Sequence, residues 1–168
     1  MPNIEVDVHG KYEFAIFKRQ LSPATDSGTF KQSTWTPVEF TWDEYAGKTD
    51  WAVLNNRDRI RLAKGNYLIK ASATAYAVGR HRLRFRDLEG NETRVVGMNA
   101  FARSEGDDIM TAAHLRGIME VKEESDFQLQ HICQRNNNGD GFGLKMGNNV
   151  ANDHEDELYA ILEIIRFT

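Results

Sequence analysis

The sequence predicts an all-β protein with an antiparallel β-sandwich of the jelly-roll type. Most segments alternate apolar and polar residues with a period of two, the pattern of strands with one buried face. Gly, Asn, Asp and Pro residues separate these segments at the short intervals typical of sandwiches. We expect roughly eight to ten strands, and helix in less than about a tenth of the chain.

Length and composition limit the protein to one domain without an internal disulfide. The 168 residues suffice for one hydrophobic core, and the single cysteine, Cys133, has no partner in the chain. We assign residues 1–10 to a lead-in segment and 11–168 to the domain. A net charge of −4 argues against a nucleic-acid partner and against attraction to an anionic membrane.

Two further absences bear on localisation. The first ten residues, MPNIEVDVHG, have charges where a signal peptide has its apolar core. No apolar run approaches the ~18 residues of a membrane-spanning helix. We therefore expect a protein made in the cytoplasm, without membrane insertion.

The first third of the chain gives weaker strand signals. Residues 11–19 follow the period of two, and the Pro-, Asp- and Gly-containing segment 21–32 reads as a surface loop. Pro37 interrupts the short segment 34–41, which places that segment at a sheet edge. Residues 42–54 are expected to be irregular.

The central segment 64–89 has the clearest pattern, and it predicts two long strands joined as a hairpin at Gly79. In the first strand one face consists of core residues, namely Tyr67, Ile69, Ala71, Ala73 and Ala75. In the second strand Leu83 and Phe85 face inward. The opposite face of that strand presents three arginines, namely Arg82, Arg84 and Arg86.

The second half of the chain continues as strands. We expect strands over 93–98, 114–121, 127–135 and 157–167, with a Gly- and Asn-rich loop at 136–143. Residues of the third of these strands that share its buried face are Phe127, Leu129, His131 and Cys133.

The last strand is apolar on both faces. One face has Leu158, Ala160, Leu162 and Ile164, and the other has Tyr159, Ile161, Ile165 and Phe167. An antiparallel strand with one solvated face alternates polar and apolar residues, so both faces of this strand need cover. Either a second subunit or a loop of the same chain covers the second face.

Several segments together resemble the trimeric jelly-roll domain of bacteriophage tail fibres and appendages. That domain is akin to the tumour-necrosis-factor and complement globular heads. The matching segments are Gly28–Thr29–Phe30 with Trp35, Lys64–Gly65–Asn66–Tyr67, Val78–Gly79–Arg80–His81, Leu129–Gln130–His131 with Cys133 and Gly141–Phe142–Gly143, and Tyr159–Ala160 with Leu162–Glu163–Ile164. Residues 36–40 depart from the Arg–x–Leu–Asn stretch of that family.

This resemblance implies a homotrimer whose final strand lies near the threefold axis. The implied interface residues are Tyr159, Ile161, Ile165 and Phe167, with His131 from a neighbouring strand. It also implies a non-enzymatic virion protein, a tail fibre, appendage or head decoration, which contacts other virion proteins and a host-surface glycan. The alternative is a cellular carbohydrate-binding or signalling module on the same fold.

No catalytic residue, metal-ligand set or cofactor motif is predicted. His81 lacks the His–x–His partner of metal-binding cupins, and His131 with Cys133 is either a soft metal pair or part of the core. The spacing of Asn136, Asn138 and Asp140 resembles the start of a calcium loop, but the twelfth position is Gly147 rather than Glu. Calcium binding by the 136–143 loop therefore stays open.

The arginines of the central segment and of the strand before it are expected to form a cationic stripe, which consists of Arg80, Arg82, Arg84, Arg86, Arg59 and Arg61. This stripe allows two interpretations. Arg82, Arg84 and Arg86 bind an anionic polysaccharide or a lipopolysaccharide phosphate on the surface. Alternatively they pair with acidic residues such as Glu92, Glu120 and Glu124 on a solvated face. Loop aromatics suited to sugar stacking are Trp42 with Tyr45, and Trp51.

Overall fold

The computed structural model describes residues 12–44, 50–103, 109–146 and 154–168, with the backbone alone for 42–44. Some predictions lie outside these described residues. They are the lead-in segment 1–10, the side chain of Trp42, and Tyr45. No helix occurs among the described residues, so none of them belongs to a helical segment able to cross a membrane.

Two antiparallel sheets face each other. The five-stranded sheet contains, from edge to edge, β10 (Met110–Val121), β6 (Gly65–Tyr76), β12 (Glu157–Phe167), β1 (Tyr12–Leu21) and β3 (Trp42–Glu44). The seven-stranded sheet contains β4 (Ala52–Asn55), β5 (Arg59–Leu62), β11 (Ser125–Cys133), β7 (Gly79–Asp87) and β8 (Glu92–Val96), with β2 (Thr36–Pro37) beside β11 and β9 (Ala100–Ala102) beside β7. The predicted all-β jelly-roll sandwich is confirmed.

Side chains from both sheets fill one main core. Its largest fully buried members come from both sheets and their connections, namely Trp51, Tyr67, Phe17, Phe40, Phe85 and Phe127. The rings of Phe85 and Phe127 stack with centroids 5.3 Å apart. Burial of apolar surface is the main favourable term in folding, and each aromatic group contributes a large area to it.

The predicted hairpin at Gly79 is wrong, although both of its strands exist. β6 pairs with β10 and β12 in one sheet, whereas β7 pairs with β11, β8 and β9 in the other. Ala77 and Gly79 have φ angles of 53° and 73°, and these left-handed conformations turn the chain from one sheet to the other. Buried and exposed side chains alternate along both strands as predicted, because each strand has one face on the shared core.

A second, smaller core closes one end of the sandwich. Several of the segments that resemble the phage tail-fibre domain meet there. Phe30 stacks on Phe142 with ring centroids 4.4 Å apart, and it contacts His131 at 4.7 Å. A Cβ atom at Gly141 would lie 2.5 Å from Cβ of Phe30, so the chain needs glycine there. The residues that carry the resemblance therefore stabilise this end of the sandwich.

Candidate functional site

Arginine side chains cover the outer face of β7. Leu83 and Phe85 are fully buried in the core, and the residues that alternate with them along the strand face outward. Arg80 and Arg82 are exposed, whereas Arg84 and Arg86 are half-buried. Alternate residues of a strand lie about 7 Å apart, so these four side chains form a cationic row. We call it the arginine face.

Neutral groups hold two members of the arginine face. The guanidinium of Arg84 stacks over the Trp35 ring at 4.0 Å, and its Nε donates a hydrogen bond to Oε1 of Gln130 at 2.8 Å. Burial lowers the pKa of Arg84, and the positive charges of Arg86 and Arg82 lower it further. Arg86 donates to the carbonyl oxygen of Asn91 at 3.1 Å. These two arginines have fixed positions.

Within the described residues, the arginine face has no acidic partner. The acidic residues expected to neutralise it pair elsewhere or not at all. Glu92 lies 3.3 Å from Arg94, and Glu124 lies 3.9 Å from Arg61. The ion-pair interpretation is therefore wrong for Arg82, Arg84 and Arg86 within the described residues. It is correct for Arg61 of the same stripe, which pairs with Glu124 and with Asp126.

A groove of about 670 Å³ lies beside the exposed end of the arginine face. Its polar and apolar side chains come from three neighbouring strands and their flanks, namely Arg80, Arg82, Asn99, Phe101, Ile132 and Gln134. In the sheet register Phe101 stands opposite Arg80, and Ile132 stands opposite Arg82. No acidic side chain is among the described residues that line it.

Two histidines form a buried pair beneath this end of β7. Nδ1 of His81 lies 2.9 Å from Nε2 of His131, and Nε2 of His81 lies 2.8 Å from Oγ1 of Thr111. Burial lowers the pKa of His81 to about 4. Burial and the neighbouring His81 also lower the pKa of His131. Both rings are therefore neutral at pH 7 and belong to the packed interior.

The predicted buried face of β11 is confirmed, and it includes Cys133. This thiol is 4% exposed, and burial raises its pKa to about 11, so it is not a thiolate at neutral pH. Among the residues that the structure describes, no three His, Cys, Asp or Glu side chains approach closely enough to hold a metal ion.

The 136–143 loop uses its polar groups to hold neighbouring segments. Oδ1 of Asn136 accepts a hydrogen bond from the backbone N–H of Gln32 at 2.7 Å. Nζ of Lys145 lies 2.6 Å from Oδ1 of Asp26, and the same ammonium group lies near Asp140. These contacts tie the loop and the nearby Lys145 to the 21–32 segment.

The expected position of Tyr159 in β12 is wrong because the strand contains a bulge. Arg19 pairs with Ala160, and the next residue of β1, Gln20, pairs with Leu158. Tyr159 is therefore the extra residue of the bulge and pairs with no residue of β1. Because of this extra residue, Tyr159 faces the interior and Leu158 faces outward, the reverse of the predicted pattern. Tyr159 is 4% exposed, and its hydroxyl donates to the carbonyl of Thr25 at 2.7 Å, while Leu158 is 49% exposed.

The expected position of His131 is also wrong. β11 belongs to the seven-stranded sheet, whereas the neighbours of β12 are β1 and β6. His131 has no exposed surface, because Phe30 and His81 pack against it inside the sandwich. The structure thus places two of the five expected interface residues, Tyr159 and His131, inside the subunit.

The other three expected interface residues lie on the outer face of the five-stranded sheet. There, strand pairing aligns four apolar side chains across β1, β12, β6 and β10. This apolar row consists of Phe14, Ile165, Leu68 and Ile118. Its ends are 54% exposed at Phe14 and 72% exposed at Ile118.

Charged and aromatic rows flank the apolar row. On one side Phe167 contacts Tyr12 in an edge-to-face geometry, with ring centroids 5.9 Å apart. On the other side Glu163 and Lys70 form an ion pair at 3.6 Å, and Ile161 lies beyond them. The row of Phe167 is itself mixed, because Phe167 pairs with Asn66 and Asn66 pairs with Glu120. The apolar row is therefore bordered on both sides by rows that contain polar or charged residues.

Sequence reasoning missed several residues of both surfaces. It did not assign Phe14, Leu68 or Ile118 to the outer face of the sheet, because only strand register brings them into line. It also missed Phe101, which pairing brings next to Arg80 across twenty residues of chain. One aromatic expectation is wrong, since Trp51 is 1% exposed and packs on Tyr67 in the core.

Comparisons with known proteins support the fold. No protein-family model matches the chain, and no curated protein sequence matches it. Solved structures do match: Eiger TNF from S. frugiperda has a TM-score of 0.59 at 11% identity, covering 94% of this chain and 93% of that chain.

Two further solved structures agree with this match. Murine APRIL at pH 5.0 has a TM-score of 0.52 at 11% identity, covering 92% of this chain and 99% of that chain. The globular domain of the zebrafish complement 1qA protein has a TM-score of 0.51 at 12% identity, covering 92% and 97%. At such low identity these likenesses show a shared jelly-roll fold alone.

Proposed function

We propose that the chain is the subunit of a non-enzymatic homotrimer that acts as a surface-attachment module. The observation that supports this proposal is the apolar row across the five-stranded sheet. Phe14 and Ile118, at its two ends, lie on strands separated by two others, so the exposed apolar surface spans most of the sheet. A contiguous apolar surface of this kind marks an interaction site.

Covering this face contributes favourable free energy to assembly. Tyr12 and Phe14 are 52% and 54% exposed. An aromatic side chain offers about 200 Å² of surface, so hiding both removes about 200 Å² and contributes about 5 kcal/mol per subunit. Association entropy opposes part of this gain. The neighbouring Ile165 and Phe167 add to it.

The proposed occupant of the face is a second copy of the same chain, arranged around a threefold axis. Closed cyclic assemblies leave no uncovered copy of the interface. The Glu163–Lys70 ion pair is already formed within one subunit, so burying that row leaves neither charge unpaired. The family resemblance also supports a trimer with β12 near the axis. Ile161, Ile165 and Phe167 remain proposed interface residues.

The proposed setting is a bacteriophage virion, in which the trimer serves as a tail fibre, appendage or head decoration. It would contact other virion proteins and attach to a host-surface glycan through residues such as Arg82. The segments that resemble the phage domain support this setting. Three equal binding sites on one trimer would increase the avidity for a surface.

A cellular carbohydrate-binding or signalling module is the second candidate. The likeness of the fold to TNF, APRIL and complement 1qA structures favours this alternative. The two settings differ in their genomic neighbours. Adjacent tail or capsid genes would support the virion, whereas adjacent secretion or polysaccharide-utilisation genes would support the cellular module.

The trimer is tested with light scattering in line with size-exclusion chromatography. We expect three times the 19.2 kDa mass of the chain at micromolar concentration. Phe14→Glu and Ile118→Glu should each yield a folded monomer, because the side chains are exposed within the subunit and a charge disfavours apolar contact.

Val96→Glu is the matched control, since Val96 is 61% exposed on the other sheet and should leave the trimer intact. Circular dichroism verifies that each variant keeps its β structure. A monomeric mass for the unmutated chain would refute the assembly. So would a trimer that persists in both Phe14→Glu and Ile118→Glu.

A further inference from the structure

Arg80 and Arg82 differ from the other arginines of their strand. Arg84 is fixed by Trp35 and Gln130, and Arg86 is held by Asn91. The guanidinium of Arg80 makes no hydrogen bond or ion pair within the described residues. The guanidinium of Arg82 makes one weak contact, since its Cζ lies 5.9 Å from the centroid of the Trp35 ring. Both therefore have donors available for a ligand.

The groove beside these two arginines contains complementary groups. Phe101 is 57% exposed directly across the sheet from Arg80, so its ring offers a flat apolar surface next to a cation. Gln134 fixes the local backbone, because its Oε1 accepts a hydrogen bond from the N–H of Arg80 at 3.2 Å. Asn99 adds an amide that both donates and accepts.

We propose that this groove binds an anionic carbohydrate, with Arg80 and Arg82 holding its charged groups and Phe101 stacking on a sugar ring. A guanidinium presents paired N–H donors that match a carboxylate, sulfate or phosphate group in a bidentate manner. The C–H face of a sugar ring packs on an aromatic ring. This inference rests on the proposed attachment function and names its ligand class.

The composition of the groove favours a carbohydrate over two other anionic partners. Nucleic acid binding relies on many basic residues and a basic domain, whereas this chain has a net charge of −4. Two unpaired arginines meet few phosphates. An acidic peptide would be bound by the arginines alone, and its carboxylates would make no favourable contact with the exposed ring of Phe101.

The site is tested by calorimetric titration of the full chain with oligosaccharides of equal length. The probes are a heparin-derived sulfated hexasaccharide, an oligogalacturonate with carboxylates alone, a phosphorylated mannan fragment, and neutral cellohexaose. We expect binding of at least one anionic probe, weakening as salt screens the charges, and none of the neutral probe. The three anionic arms identify which charged group the groove prefers.

Variants then locate the site. Arg80→Gln with Arg82→Gln should weaken binding by about tenfold or more, because charge-assisted bidentate contacts are lost. Lysine at both positions should restore only part of the affinity. Phe101→Ala should weaken binding by about threefold or more. Arg57→Gln with Arg59→Gln is the charge-matched control, since both residues are exposed and neither lines the groove, so affinity should change less than about twofold.

Three results would overturn the proposal. They are the absence of binding to every anionic probe, equal weakening by the control pair, and equal affinity for a poly-glutamate peptide or an oligothymidylate. Light scattering on the same samples separates this inference from the proposed function. A trimer without binding refutes the ligand site alone, and a binding monomer refutes the assembly alone.

Discussion

The buried histidine pair makes the free energy of unfolding of this protein depend on pH. His81 is 3% exposed and His131 is fully buried, and they contact each other at 2.9 Å. In the unfolded chain both rings are solvated and titrate near pH 6.5. In the folded chain burial holds the pKa of His81 at about 4. The unfolded chain therefore binds more protons than the folded chain between these two pH values.

The sign and size of the effect follow from this difference. The pKa of His81 is lower in the folded state, so its contribution to stability is complete above pH 6.5 and is lost as the pH falls toward 4. Each pH unit in this window costs about 1.4 kcal/mol, so His81 alone accounts for about 3 kcal/mol. His131 shifts in the same direction and adds to the loss.

The assay is urea unfolding at fixed protein concentration from pH 7 to pH 4. His81→Gln removes one titrating ring, so this variant should show a smaller loss of stability across the window, whatever its stability at pH 7. The exposed His114→Gln is the control and should retain the unmutated slope. An unchanged slope in His81→Gln would refute the reasoning.

Two more predictions test the packing that supports both surfaces. Asp87→Ala should destabilise the fold by about 3 kcal/mol, because the buried carboxylate accepts hydrogen bonds from Ser125 Oγ at 2.7 Å and from two backbone N–H groups of the following turn. Urea unfolding should show no comparable loss in the exposed Glu89→Ala, and a similar loss there would contradict it. Gly117→Ala should cost about 1–3 kcal/mol, since its Cβ would lie 2.6 Å from Cγ1 of Val95 in the facing sheet. Adding Val95→Ala should recover part of that loss, and no recovery would exclude this contact as the cause.

Local patterns predicted the fold class and the facing of most strands. Leu83 and Phe85 are buried as expected, and the predicted last strand, 157–167, has the observed bounds. These predictions succeeded because side-chain alternation is a property of each strand alone. It requires no knowledge of which strands are neighbours. The resemblance to trimeric jelly rolls extended this local information to the architecture.

The surfaces depend on contacts between residues distant in sequence. The alternation of apolar and polar residues in β6 and β7 is the same in a hairpin as in two separate sheets. The sequence pattern was therefore compatible with a hairpin, although the two strands lie in different sheets. A single bulge at Tyr159 changed which residues of β12 face outward. Neither feature leaves a signal in the spacing of apolar residues.

The class of each strand face could therefore be predicted without coordinates: apolar on one side of β6, cationic on one side of β7, and apolar on both sides of β12. Which of these faces meet depends on how the strands pair and pack. Strand register aligned Phe14 with Ile118 across four strands, and it placed Phe101 beside Arg80. Register could not be predicted locally because it is set by the packing of the whole core, and a shift of one residue moves every side chain to the opposite face.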